Sequence, residues 1–199
     1  MTANLSGKSE ENGMIFYLVR HGQTDWNNER RFQGQTDVPM NEAGIRQISE
    51  LADRLARDGI RFDRLIASPL IRAKRTAEII AEKTGFRGEI VFDGDFMERY
   101  CGALEGKLWT PDLDYDDPAY GMETDLELLE RAGRALGKYA FSKDERVMIV
   151  SHGAMLYAVK EVLSDRDPEP DCEMTPVIQG NVLCCEKEEG KAAVFFNLY

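Results

Sequence analysis

Histidine is scarce in this chain: His21 and His152 are the only two among 199 residues. A metal centre would need an unusual mixture of distant ligands, so no metal and no cofactor are expected. The four cysteines, Cys101, Cys172, Cys184 and Cys185, form no Cys-x-x-Cys pair, and the adjacent pair Cys184–Cys185 is poorly suited to an ordinary disulfide. Reduced, partly buried thiols are the expectation. Positive charge is also in short supply, with 25 Lys and Arg against 36 Asp and Glu and a net charge of −11. Such a surface is a poor partner for nucleic acid or an anionic membrane. Apolar runs, Met14–Val19 among the longest, are far too short to cross a bilayer. The first thirteen residues lack the apolar centre of a signal peptide, so residues 1–13 read as a disordered tail on a cytoplasmic protein.

With no repeat and no low-complexity segment, residues 14–199 read as one domain. Met14–Val19 has the look of a strand buried on both faces. Asn41 can cap a helix running to about Asp58, whose Ile48, Leu51, Ala52 and Leu55 share one face. Leu65–Ala67 reads as a second strand, followed by Ser68 and Pro69 as N-cap and first residue of a helix with Ala73, Ala77, Ile80 and Ala81 inside. Glu89–Phe92 and Arg146–Val150 read as further strands, with a helix near Asp125–Tyr139 between them and another opening after Gly153. Val182–Glu186 and Ala192–Asn197 read as a hairpin turning at Glu189-Gly190. Strands alternating with amphipathic helices predict an α/β fold of three αβα layers around a mostly parallel sheet.

Sheets of this kind bind ligands at the carboxyl ends of their strands. Those ends carry Arg20-His21-Gly22 and Ser151-His152-Gly153, so both histidines fall where the fold puts chemistry. Alone, each is unremarkable, because a solitary histidine is usually structural and a helical arginine usually a solvated charge. Their conjunction, with Arg72 in the first turn of a helix that also follows a strand, suits a phosphoryl group. Helix N-termini offer free N–H groups, and arginine offers a planar fork matching two phosphoryl oxygens. A neutral imidazole can attack phosphorus if its other ring nitrogen is held as a donor, typically by a carbonyl.

The segment Leu18-Val19-Arg20-His21-Gly22-Gln23-Thr24-Asp25-Trp26-Asn27 resembles the opening motif of the histidine phosphatase superfamily, the phosphoglycerate mutase-like family. Arg31-Phe32-Gln33-Gly34 resembles its substrate loop, and Ser68–Ala77 its second-arginine helix. Glu98 with Gly102 and Glu105-Gly106 is similar to the segment bearing its acid, and Val150–Gly153 to that bearing its second histidine. The resemblance implies His21 as a nucleophile that becomes phosphohistidine. It implies Arg20, Arg72 and His152 around the phosphoryl group, with Asn27 adding a hydrogen bond and Gln33 and Gly34 in the substrate loop. Glu98 would protonate the leaving oxygen and then activate water, a role open to a carboxylic acid at neutral pH when partial burial raises its pKa. The expected activity is metal-independent hydrolysis of a small-molecule phosphate monoester.

The mutase branch of that family needs a second basic patch after the acid. Here Leu108–Glu130 contains no Lys or Arg and carries Asp112, Asp114, Asp116, Asp117, Glu123, Asp125, Glu127 and Glu130. The mutase pattern Glu-Arg-His-Tyr is altered to Glu98-Arg99-Tyr100-Cys101. Both departures point to the phosphatase branch, with a mutase or bisphosphatase, or a silent phospho-ligand binding module, as the alternatives. If the acidic segment borders the pocket, its carboxylates should disfavour a carboxylate or second phosphate on the leaving group and tolerate neutral or cationic ones.

Overall fold

The computed structural model describes residues 13–114, 117–164, 177–188 and 190–199. The N-terminal tail up to residue 12, Cys172, Asp116 and the turn residue Glu189 lie outside the described residues. Six strands form one sheet: β1 (Met14–Arg20), β2 (Arg64–Ala67), β3 (Ile90–Phe92), β4 (Arg146–Ser151), β5 (Val182–Lys187) and β6 (Val194–Asn197). Their order is β3-β2-β4-β1-β5-β6. The first four are parallel, and the C-terminal hairpin runs antiparallel along the free edge of β1.

Side-chain alternation decides the layers. On β1, Tyr17 and Val19 join one core cluster while Phe16 and Leu18 join the other. Met148 and Val150 on β4 follow the first pair, Val147 and Ile149 the second. Both strands are therefore buried on both faces, as their continuous apolar runs require. Helices α2 (Glu42–Arg57) and α3 (Ile71–Thr84) cover the first face, and α4 (Asp125–Gly137) and α5 (Gly153–Ser164) the second. Between β1 and β2 a further short helix, α1 (Asp25–Asn28), sits on the loop after β1. The chain leaves β1 towards one face and β4 towards the other, which opens a crevice between two neighbouring strand ends.

The expected caps hold at α2, where Asn41 Oδ1 accepts the Gly44 N–H at 2.9 Å, and Ile48, Leu51, Ala52 and Leu55 are all buried. They do not hold at α3. Its N-cap is Leu70 rather than Ser68, and the helix opens at Ile71. The Ser68 hydroxyl is engaged with His152, and Asp37 Oδ1 accepts the Ile71 N–H instead, at 2.6 Å. Ala73, Ala77 and Ile80 are buried as expected, whereas Ala81 is half-buried. The third strand starts at Ile90 rather than Glu89, the hairpin's second strand at Val194 rather than Ala192, and α4 ends at Gly137. Cys101, Cys184 and Cys185 take part in no disulfide and are buried. Among the described residues, no helix is long and apolar enough to cross a membrane.

Leu51 is fully enclosed while Ile45, on the same helix, is 41% exposed. Leu51→Ala should therefore cost about 3 kcal/mol of stability and Ile45→Ala less than about 0.5 kcal/mol, read from urea unfolding midpoints.

Candidate active site

The crevice brings the two histidines together. Arg20 stands level with Ser151 across the β1–β4 ladder, and the His21 N–H donates to the Ser151 carbonyl at 3.0 Å. The imidazole centroids are 5.1 Å apart. His21 Nδ1 lies 2.8 Å from the Gly22 carbonyl oxygen. A carbonyl only accepts, so Nδ1 carries the proton and Nε2 keeps its lone pair. Gly22 is required by packing, since a Cβ there would meet Met40 Sδ, the Gly44 carbonyl oxygen and Ile48 Cγ1 within 2.8 Å.

Two guanidiniums lie beside these rings, Arg72 buried and Arg20 half-buried. Arg72 is fully enclosed; its Nη1 and Nη2 donate to the carbonyls of Thr36 and Gly34, each at 2.8 Å. Its Nε has no partner, nor does the buried Nε of Arg20. Burial pulls both arginines below their usual pKa, opposed chiefly by Glu98. Burial and then Arg72 hold both histidines well below the usual imidazole value. His152 is fully buried, with Nε2 2.8 Å from Ser68 Oγ and Nδ1 unpartnered. Ser68 Oγ also accepts the Leu70 N–H at 3.3 Å, and with its own proton directed at His152 Nε2 the remaining Nδ1 would be an N–H donor.

Carboxamides supply further donors. Asn27 Oδ1 accepts from the Thr24 N–H at 3.0 Å, and Gln33 Oε1 accepts from the Thr24 hydroxyl at 2.9 Å. With both oxygens tied back, each amide keeps its NH₂ as the free end. Gln179, from the segment before β5, donates from Nε2 to the His21 carbonyl and to Asn27 Oδ1, both at 3.1 Å. Sequence reasoning missed Gln179, which has no motif around it and stands 152 positions from Asn27. Gly34 has a left-handed φ of +50°, and a Cβ there would collide with the Glu105 carboxylate.

Glu98 Oε1 accepts the backbone N–H groups of Arg99 at 3.0 Å and Met155, in the first turn of α5, at 3.2 Å. Arg131 secures the loop that carries it. Its guanidinium donates to the carbonyls of Asp95, Met97 and Glu98 and pairs with Glu123 at 2.6 Å.

Arg20, His21, Asn27, Gln33, Gly34, Arg72 and Glu98 all line a cavity of about 340 Å³; His152 lies buried and does not line it. The outer wall is Arg31, Phe32, Arg99, Cys101, Trp109 and Met122. The acidic segment does reach the cavity, but through Trp109 and Met122. Its described carboxylates are engaged elsewhere or stand away from the wall: Glu123 pairs with Arg131, Asp125 with Arg99, and Asp117 and Glu127 cap helical turns. The condition set on that segment, that it border the pocket, is met through Trp109 and Met122, while Glu123, Asp125, Asp117 and Glu127 are held by local N–H groups and arginines. Burial, with Glu98 and Glu105 nearby, pushes the Cys101 thiol up to about 12, so it stays protonated.

The family model of the histidine phosphatase superfamily (branch 1) matches residues 16–191. The chain is similar to an uncharacterized phosphatase, PhoE, of Bacillus subtilis (strain 168), 42% identical over 155 residues that cover 76% of this chain and 78% of that one. It is similar to a probable phosphoglycerate mutase, GpmB, of Salmonella paratyphi A, 38% identical over 70% of each chain. The solved structure of Bacillus stearothermophilus YhfR superposes with a TM-score of 0.73 at 26% identity, covering 90% of this chain and 94% of that one. The chain belongs to the histidine phosphatase superfamily and is a phosphatase of that class.

Because both histidines are depressed below 6.5 in the folded protein, the unfolded chain binds protons that the native state refuses. Stability should therefore fall as pH drops from about 7 towards about 5. The double variant His21→Asn/His152→Asn should show a flatter dependence over that window. Unfolding midpoints measured against pH for the two proteins check this.

Proposed function

We propose that the protein is a metal-independent phosphomonoesterase acting through a phosphohistidine at His21. The observation that carries this reading is a deficit of acceptors in one place. Among the described residues, Arg20 Nε, Arg72 Nε and His152 Nδ1 are buried nitrogens with no hydrogen-bond partner, and all three belong to this one site. Unpaired buried donors are costly, and a tetrahedral dianion satisfies them together. Without a metal, the two guanidiniums, the His152 N–H and the amides of Asn27 and Gln33 stabilise charge on the transferring phosphoryl group.

In the first step the lone pair on His21 Nε2 forms the N–P bond as the ester O–P bond breaks. The leaving oxygen takes its proton from Glu98. With Oε1 accepting two backbone N–H groups, Oε2 is the oxygen left to carry that proton. In the second step Glu98 takes a proton from water, which forms a new O–P bond as the N–P bond breaks, releasing inorganic phosphate and restoring His21. The outer wall supports hydrolysis over mutase chemistry. Its two cations, Arg31 and Arg99, are each paired with a carboxylate, and Phe32, Trp109 and Met122 fill the space between.

Quenching a reaction with labelled substrate, in buffer containing EDTA, should trap an acid-labile, base-stable phosphoprotein. His21→Ala should abolish it and lower kcat by at least about 10³-fold; an acid-stable adduct, or one that survives the substitution, overturns the mechanism. Glu98→Gln should slow single-turnover cleavage of alkyl phosphates by about 10²–10⁴-fold and of p-nitrophenyl phosphate far less, since a good leaving group needs no proton.

A further inference from the structure

Gln179 touches the site without entering the cavity. It is half-buried, stands in the segment before β5 and does not line the cavity wall. Its Nε2 nonetheless donates to the His21 carbonyl and to Asn27 Oδ1, each at 3.1 Å. The orientation of both amides follows from their partners. A carbonyl only accepts, so Gln179 turns its NH₂ towards His21; a backbone N–H only donates, so Asn27 turns Oδ1 towards Thr24 at 3.0 Å. Asn27 Oδ1 is thus held by two donors, and Nδ2 is left for the cavity that Asn27 lines.

The two bonds from Gln179 carry different weight. The His21 backbone is already fixed by its own N–H to the Ser151 carbonyl at 3.0 Å. Asn27 belongs to α1, a four-residue helix none of whose residues is buried, so its amide depends on hydrogen bonds for its aim. Gln179 is itself well anchored. The Asn181 N–H closes a turn on the Ile178 carbonyl at 3.2 Å, and Arg54 Nη2 donates to the Gly180 carbonyl at 2.7 Å. Asn181 Oδ1 accepts the N–H groups of Val182 at 2.7 Å and Tyr199 at 3.1 Å.

We propose that Gln179 is a positioning residue for the phosphoryl chemistry: it aims Asn27 Nδ2 at the transferring group and ties that amide to the backbone of the nucleophile. This rests on the phosphomonoesterase reading above. A binding group displaced by about 1 Å can cost about 10²-fold in rate. An amide held by Thr24 alone can swing about that one bond, whereas a second donor from a distant, anchored segment fixes its direction.

Vanadate, a mimic of the five-coordinate phosphoryl group, tests this without turnover, and p-nitrophenyl phosphate and an alkyl phosphate test it with turnover. Gln179→Leu and Gln179→Met keep the bulk and remove both donors. Each should weaken vanadate binding and lower kcat/KM by about tenfold, the worth of one hydrogen bond to a charged group. The loss should be equal for the two esters, in contrast to Glu98→Gln, because Asn27 meets the phosphoryl group rather than the leaving group. Gln179→Glu should be worse than either, since a carboxylate would face two acceptor oxygens. In an Asn27→Ala background, with no amide left to aim, the same substitutions should cost less than about twofold more. Undiminished losses in that background would make Gln179 a strut of the fold and overturn the proposal. So would unchanged vanadate binding and kcat/KM in Gln179→Leu and Gln179→Met. Failure of the unaltered protein to hydrolyse either ester would instead strike the phosphomonoesterase reading, and the vanadate series would still decide the role of Gln179.

Discussion

Buried positive charge without a resident counterion is the constraint on which the site depends. Arg72 is the largest fully buried side chain described, and Arg20 lies beside it at the strand ends. Removing two guanidiniums from water is expensive unless their donors are met. The protein meets half the demand itself. The Gly34 and Thr36 carbonyls take Arg72's two Nη groups, and the loop presenting them is held by Glu105, which accepts the Gln35 N–H at 2.9 Å and the Thr36 hydroxyl. That is the physical reason for Gly34's left-handed backbone and for a glutamate seventy positions away in sequence from the loop it supports. The other half of the demand is left for an anion.

Burial first, and the Arg72 guanidinium second, keep the nucleophile's imidazole neutral, and the Gly22 carbonyl decides which nitrogen holds the proton. A lone pair aimed at an electrophile and a cationic cradle for its oxygens are thus two consequences of one arrangement. The acid has a different support. Glu98 hangs on the first turn of α5 through Met155 and on α4 through the Arg131 guanidinium, so helices on the second face fix the proton donor. Arg20 and His21 end β1, and Arg72 opens a helix of the first face, so the layers meet at the reacting group.

Charge counting along the chain left open which side chains of the Leu108–Glu130 segment face the outer pocket. The segment is acidic and free of Lys and Arg, and its Asp117, Glu123, Asp125 and Glu127 have protein partners of their own. Thr124 and Glu127 form a capping box, Asp117 caps a single helical turn, and Arg131 takes Glu123 in a nearly dry pair. What remains to face the cavity is apolar, Trp109 and Met122, together with an arginine whose partner is out in water.

The layered α/β fold, the faces of α2 and the placing of both histidines after buried strands were legible because they rest on periodicity and on local turn chemistry. Those signals act over one to four residues. The residue types of the site were legible through motifs, as Arg20, His21, Asn27, Gln33, Gly34, Arg72 and Glu98 do share one cavity and His152 does lie against His21. Contacts between distant segments were decided only by tertiary structure. Ser68, read as a helix cap, serves His152 because β2 and β4 are neighbours. Asp37 replaces it at α3 because the loop before α2 folds back over that helix. Gln179 reaches His21 and Asn27 because β5 pairs with β1. No local pattern encodes such pairings, since a donor and its acceptor need share only a place in space.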